Sequence, residues 1–205
     1  MQAAINAFEA GITRVRSLHG IHHALSRQLT SAVDLSDLLR AEIVMGVSAL
    51  DHYIHELARL GMLECWSGHR KSTEAFKRFP LPMSVAAGLS SSSTTELLEA
   101  EIRAKHSFLS FQHPDKIADA VRLFSEVKLW DEVATELKSN ARTIKSALNL
   151  IIDRRNKIAH EADADPSYPG ERWPVDTALV EETLDTLDQI AHAIFRVVTR
   201  SQTPV

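Results

Sequence analysis

Three side chains with complementary chemistry lie close together in the second half of the chain: Arg155, Asn156 and His160. An imidazole can remove or supply a proton at neutral pH. A planar guanidinium can donate two parallel hydrogen bonds to phosphate oxygens as charge builds up in a transition state. The amide of Asn156 can fix the imidazole tautomer or hold a phosphate oxygen. Together these groups suit metal-independent cleavage of a phosphodiester by the neighbouring 2′-hydroxyl.

Arg155 occupies a position where the pattern of its segment predicts an apolar residue, because an apolar stripe runs through Leu148 and Ile152 toward it. A guanidinium facing packed side chains is costly unless it is paired or opens onto a polar cleft. Asn156 and His160 are four residues apart and share one side of a helix, whereas Arg155 and His160 are roughly 140° apart. The long arginine side chain can still meet the imidazole at one phosphate if the helix ends at His160.

Four further cations on the same predicted helix are candidates for contact with the RNA backbone. They are Arg142, Lys145, Arg154 and Lys157. The chain as a whole has a formal net charge of -4. Nonspecific affinity for polyanions comes from summed positive charge, so a general nucleic-acid coat is not expected. Any contact with nucleic acid is therefore expected to be local.

The elements that position these residues are predicted to be helices, because apolar residues recur every three or four positions over most of the chain. The second helix has the clearest stripe, and it follows N-cap candidates at Asp34 and Ser36. Its apolar residues are Leu39, Ile43, Val47, Leu50, Ile54 and Leu57. In chain order the predicted helices cover residues 3–29, 34–61, 93–108, 114–124, 140 to 160 or 162, and a last stretch after Pro174 that reaches about 198.

Residues 66–93 contain Gly68, Pro80, Pro82, Gly88 and a run of serines, which predicts an irregular insertion with at most a short helix. Nowhere does the sequence show the alternation typical of a strand. We therefore expect an all-α fold, a bundle of about five to six helices with this insertion after the second long helix, forming a single domain over residues 1–205. The single cysteine and the absence of a long apolar run favour a cytoplasmic protein with no membrane partner.

Two segments carry a resemblance to a known family. The run 151–163, which contains the Arg155 to His160 motif and is followed by Pro169-Gly170 and a closing helix, is similar to the RiboL-PSP branch of the HEPN superfamily. The run 47–56 in the second predicted helix is similar to the same branch. The two runs lie about where that branch has them, although the middle of the chain from Cys65 to Thr94 lies outside the resemblance.

The resemblance implies a helical bundle that forms a homodimer in which two Arg and His sets face each other. It implies a metal-independent endoribonuclease that uses 2′-hydroxyl attack, without a cofactor, in a toxin–antitoxin or phage-defence system with a possible antitoxin or regulatory protein as partner. In this scheme Arg155 holds the scissile phosphate, His160 acts in proton transfer or transition-state stabilisation, and Asn156 supports them. Asp51 is the candidate partner of Arg155 or of the imidazole.

Three alternatives stay open on the sequence. Arg155 and His160 can simply be cations that favour the dipole at a helix C-terminus. The protein can also be a catalytically inactive HEPN-like module that binds a partner protein or a nucleotide. The third alternative is a metal-dependent hydrolase in which His52, His55 and Glu56 bind the ion. That alternative is the less favoured, because a second, matching ligand motif is not apparent.

Overall fold

The computed structural model describes residues 1–30, 32–88 and 94–200. Within these ranges the chain is all-α, as the sequence predicts. The described helices are α1 (Gln2–Ser26), α2 (Ser36–Trp66), α3 (Glu74–Lys77), α4 (Met83–Gly88), α5 (Thr94–His106), α6 (Pro114–Arg122), α7 (Leu129–Glu136), α8 (Ala141–His160) and α9 (Thr177–Arg200).

The six long predicted helices correspond to α1, α2, α5, α6, α8 and α9. The helix count is nonetheless higher than expected, at nine in the described residues. Two short helices, α3 and α4, lie in the insertion that was expected to hold at most one, and α7 lies in a stretch where none was predicted. Ser93, where the third helix was predicted to begin, falls outside the described residues.

The core forms where the apolar stripes of the long helices meet. All six apolar residues of the α2 stripe are buried, and those of α9 lie against them. Helix α2 packs on α1, α8 and α9, so it runs through the centre of the bundle. At Gly61 a Cβ atom would lie 2.2 Å from Cγ of Phe124, so the segment after α6 packs directly on the α2 backbone.

The insertion is held to the bundle by its own apolar residues. Phe76, Phe79 and Leu81 pack on a second buried cluster formed by α2 and α5. The buried members of that cluster are Met62, Leu98 and Ile102. Prolines and glycines correctly indicated an irregular path, but the aromatic residues between them fix that path against the bundle.

No helix in the described ranges combines the length and the apolar character that crossing a membrane requires.

Candidate active site

Helix α8 carries the motif and begins and ends where the sequence indicates. The side chain of Asn140 caps its first turn by accepting a hydrogen bond from the backbone N–H of Thr143 at 2.8 Å. Leu148 and Ile152 are buried against the core and fix which side of the helix faces inward. The helix ends at His160, which is the ending that lets Arg155 and His160 approach one site.

Arg155 lies partly buried on the inward side of α8, as its place in the apolar stripe predicts. Its Nη1 donates a hydrogen bond to Oδ1 of Asn156 at 3.0 Å. Its Nε is buried and has no hydrogen-bond partner in the described part of the chain. The guanidinium therefore lies toward the side of the helix that bears Asn156. It keeps N–H groups that could donate hydrogen bonds to a phosphate.

His160 is exposed at the last residue of α8. It follows Asn156 by four residues, so the two side chains lie on one side of the helix, about 40° apart. The hydrogen bond from Arg155 to Asn156 brings the guanidinium toward this same side. Arg155 is thus turned toward the side of α8 on which His160 is exposed, and convergence of the three groups on one phosphate remains a prediction.

A tight turn follows His160. The backbone N–H groups of Glu161 and Asp163 both donate to the carbonyl of Lys157 at 3.0 Å. Ala162 and Asp163 have φ values of 51° and 58°, in the left-handed region that residues other than glycine seldom adopt. The turn then joins the segment before α9, where the N–H of Trp173 donates to the carbonyl of Asp163 at 2.9 Å. Hydrogen bonds therefore fix the end of α8 to the segment before α9.

Arg154 was predicted to contact RNA, but its guanidinium points into the protein. Its Nη2 donates to Oδ2 of Asp163 at 2.8 Å and to the carbonyls of Trp173 and Pro174 at 3.1 Å each. Burial is the largest influence on its pKa and lowers it; the neighbouring Arg40 lowers it too, whereas Asp163 raises it. These contacts hold the turn, and contact of Arg154 with RNA, which would require the guanidinium to leave them, stays a prediction.

Arg40 and Asp163 complete this cluster, and sequence reasoning did not single them out. Nε of Arg40, on α2, donates to Oδ2 of Asp163 at 2.6 Å. Two guanidiniums thus share one oxygen of a single carboxylate, and Nη1 of Arg40 also lies 3.9 Å from Oδ1 of Asp37. The available signal was an arginine next to Leu39 in the apolar stripe of α2, but its acceptor is 123 residues away in sequence.

The other three predicted RNA contacts are differently placed. Lys157 lies 3.2 Å from Asp153 and 5.2 Å from the ring centre of Trp173, so its side chain packs along the helix. Lys145 pairs with Asp115 at 2.9 Å in an exposed ion pair, which costs little to open. Arg142 is exposed near the start of α8. Contact of these cations with RNA remains a prediction, and it fits Arg142 best.

Asp51 does not partner Arg155 or His160 within the described chain. Its Oδ1 accepts a hydrogen bond from the backbone N–H of Phe111 at 2.6 Å and lies 3.9 Å from Nε2 of His55. Arg40 marks the part of α2 that lies beside the end of α8, and Asp51 is eleven residues further along, about 16 Å at the helical rise. The carboxylate instead anchors the loop between α5 and α6.

The arrangement around Asp51 also bears on the metal alternative. Glu56 is occupied by Arg59 at 2.6 Å and by Arg103 at 2.9 Å. His55 packs on the ring of Phe111, with 4.5 Å between the ring centres. Among the described residues no group of three histidine, cysteine or acidic side chains is placed to hold a metal ion. The contacts therefore do not favour a site formed by His52, His55 and Glu56.

An all-helical bundle with Arg155, Asn156 and His160 at the end of its last helix but one has the architecture and motif of a HEPN-type domain. The chain belongs to the RiboL-PSP-HEPN family, whose model matches residues 11–200. Comparisons with curated proteins and with solved structures give no match. Membership of this family indicates an RNA-related function, since HEPN domains are often ribonucleases.

Proposed function

We propose that the protein is a metal-independent endoribonuclease that acts as a homodimer in the cytoplasm. One observation carries this proposal. A partly buried arginine, Arg155, is tied to Asn156 and turned toward the side of α8 on which His160 is exposed. A structural arginine at this depth would be expected to meet a carboxylate, as Arg154 and Arg40 do. The described hydrogen bond of Arg155 is instead to a neutral amide, which leaves its charge available to a phosphate.

The reaction we propose is an intramolecular transesterification of the RNA chain, in which the 2′-oxygen replaces the 5′-oxygen on phosphorus. The 2′-oxygen attacks the adjacent phosphorus while His160, as a neutral imidazole, takes the proton of the 2′-hydroxyl. Arg155 donates to the equatorial oxygens as their charge grows. The bond from phosphorus to the 5′-oxygen breaks, and an imidazolium returns a proton to that oxygen. His160 of the partner subunit is our candidate for this acid. The products are a 2′,3′-cyclic phosphate and a 5′-hydroxyl.

The direct test is incubation of a pooled RNA ladder with wild-type protein and with His160→Ala, in excess EDTA. We expect the wild type to cut and to leave the cyclic phosphate end, and the variant to be slower by at least about 10²-fold because it lacks the proton-transfer group. Because His160 is exposed, the substitution should leave the melting temperature unchanged. Equal cleavage by both proteins, or cleavage that EDTA abolishes, would contradict the proposal.

A homodimer would need a surface on or near α8 if the two sites are to face each other. Leu150 lies in the middle of α8 and is 71% exposed. It borders a groove of about 210 Å³ between α8 and α9, whose apolar wall includes Ile43, Ile151 and Leu179. A single exposed leucine is common on protein surfaces, but here it is continuous with an apolar groove, and contiguous apolar surface is what interfaces use. We propose that this surface forms the contact with the second subunit of the homodimer.

Leu150→Asp is therefore expected to dissociate the dimer, because it would place a charge in the buried interface. Light scattering over a concentration series should give a dimer dissociation constant at least about tenfold higher than that of the wild type. The variant should fold normally, since the Leu150 side chain is largely exposed and its replacement removes no buried packing. Met83→Asp, at another largely exposed apolar residue, in α4, is the control and should dimerise as the wild type does. A wild-type dissociation constant for Leu150→Asp would exclude this surface.

The physiological setting we propose is a toxin–antitoxin or phage-defence system, with a regulatory protein as partner. Overexpression in cells separates this from the alternative of an inactive binding module. A nuclease should slow growth, and a protein lacking both Arg155 and His160 should not. Growth arrest that survives loss of both residues would favour sequestration of a partner and would count against the nuclease.

A further inference from the structure

We propose that Asp163 is a positioning residue for His160, and that Arg40 and Arg154 act through it. This inference rests on the proposed function, because His160 matters only if it takes part in cleavage. It starts from a simple observation. His160 has no hydrogen-bond partner in the described residues that would hold its ring, so its position depends on the backbone that precedes and follows it.

The backbone that follows His160 adopts a costly conformation. Two consecutive residues other than glycine, Ala162 and Asp163, lie in the left-handed region. Such conformations persist only where the surroundings hold them. Here they allow the N–H of Asp163 to return to the carbonyl of Lys157, which ends α8 at His160. Asp163, three residues after His160, thus determines where α8 ends.

The Asp163 carboxylate stabilises this turn through hydrogen bonds with two arginines. The residue is 1% exposed, and its Oδ2 accepts from Arg40 at 2.6 Å and from Arg154 at 2.8 Å. Arg40 also donates to the carbonyl of Trp173 at 2.8 Å and to Oγ of Ser36 at 2.6 Å. One carboxylate therefore fixes the turn to α2, to the body of α8 and to the segment before α9.

Loss of this carboxylate should affect turnover more than binding. Arg155 lies on the body of α8, more than a turn before the helix end, and its contact with Asn156 does not involve Asp163. His160 is at the very end, where release of the turn moves it directly. A displacement of about 1 Å at a reacting group can cost about 10²-fold in rate. The RNA would still be held by Arg155.

The variant that tests this is Asp163→Asn, since asparagine keeps the shape of the side chain and tolerates the left-handed conformation. We expect kcat for RNA cleavage to fall by about 10- to 100-fold, with KM within about threefold of the wild-type value. Arg172→Gln is the matched control. It removes the ion pairs of Arg172 with Asp34 and Asp37 and its hydrogen bond to Oγ of Ser36. None of these contacts involves Asp163, so both constants should stay unchanged.

Two structural readouts accompany the kinetics. Amide hydrogen exchange at Glu161 and Asp163 should be faster in Asp163→Asn than in Arg172→Gln, and the NMR signals of the His160 ring should shift only in Asp163→Asn. A wild-type kcat in a variant whose turn exchanges faster would overturn the proposal. So would a fall in kcat that leaves exchange and the His160 signals unchanged, since the carboxylate would then act by another route.

Failure of the nuclease proposal would be recognised separately, as a wild type that does not cut RNA. The NMR signals of His160 then decide the positioning claim alone: a shift in Asp163→Asn supports it and no shift overturns it. If Asp163→Asn does not fold, Arg40→Gln serves in its place, because the pair between Arg154 and Asp163 remains. We expect its kcat to fall severalfold with KM unchanged, and a wild-type kcat would again overturn the proposal.

Discussion

Arg155→Ala should reduce RNA cleavage by about 10²- to 10³-fold, the loss typical of removing one donor that stabilises a transition-state oxyanion. The structural reason is that Arg155 is the guanidinium at the end of α8 whose described hydrogen bond is to an amide, not to a carboxylate. The protein should remain folded, because Arg155 forms no ion pair with any residue that the structure describes. Single-turnover cleavage of a defined RNA in EDTA measures the effect, and thermal unfolding checks the fold.

Two comparisons sharpen this prediction. Arg155→Lys keeps the charge but lacks the planar fork that matches phosphate oxygens, so we expect it to recover less than about a tenth of the lost rate. Arg142→Ala removes an exposed cation from the same helix and should only weaken binding in a salt-dependent way. The double variant of Arg155 and His160 should be little slower than either single variant if the two act as a unit. Wild-type cleavage by Arg155→Ala would refute the assignment.

Acid should destabilise the fold through His106, a residue on α5 that is only 4% exposed. Burial, with a smaller contribution from the nearby His55, lowers the pKa of His106 to about 4. Its ring is enclosed by Phe79 and Phe111, and the centre of the His55 ring on α2 lies 6.3 Å from its own. Protonation would place a charge among these rings.

The direction of this pH effect follows from the difference between the His106 pKa in the folded protein and in the unfolded chain. The folded protein binds the His106 proton less readily than the unfolded chain, so stability is fully present above pH 6.5 and is lost as the pH falls toward 4. At pH 4.5 the loss attributable to this residue is about 2 to 3 kcal/mol, from about 1.4 kcal/mol for each unit of pKa difference. Urea unfolding of the wild type and of His106→Leu at pH 7 and pH 4.5 isolates it, since other titrating groups are common to both proteins. Equal pH dependence in the two proteins would show that His106 does not titrate in this way.

The long helices could be predicted because their apolar residues repeat with the helical period over three or more turns, as in α2 and α9. Helix α7 was missed because it has eight residues, too few for the period to stand out. Its apolar positions are Leu129, Trp130, Val133 and Ala134, and the acidic residues Asp131 and Glu132 in its first turn were the remaining signal.

The candidate site was found from sequence only where its residues are neighbours in the chain. Arg155, Asn156 and His160 lie on one helix, so spacing alone relates them. The roles of Arg154 and Asp51 could not be assigned, because they depend on contacts with Asp163 and Phe111 that arise only when distant elements pack. A pattern along α8 shows which side is inward, but not which of two adjacent arginines finds a buried carboxylate.

The contact between Arg40 and Asp163 joins residues that are translated well apart. Asp163 and the carbonyl of Trp173 leave the ribosome 123 and 133 residues after Arg40. A nascent chain can therefore form α1 and α2 while the end of α8 still lacks the groups that fasten it. If the protein cuts RNA, an incomplete chain is not yet able to attack the messenger from which it is being made.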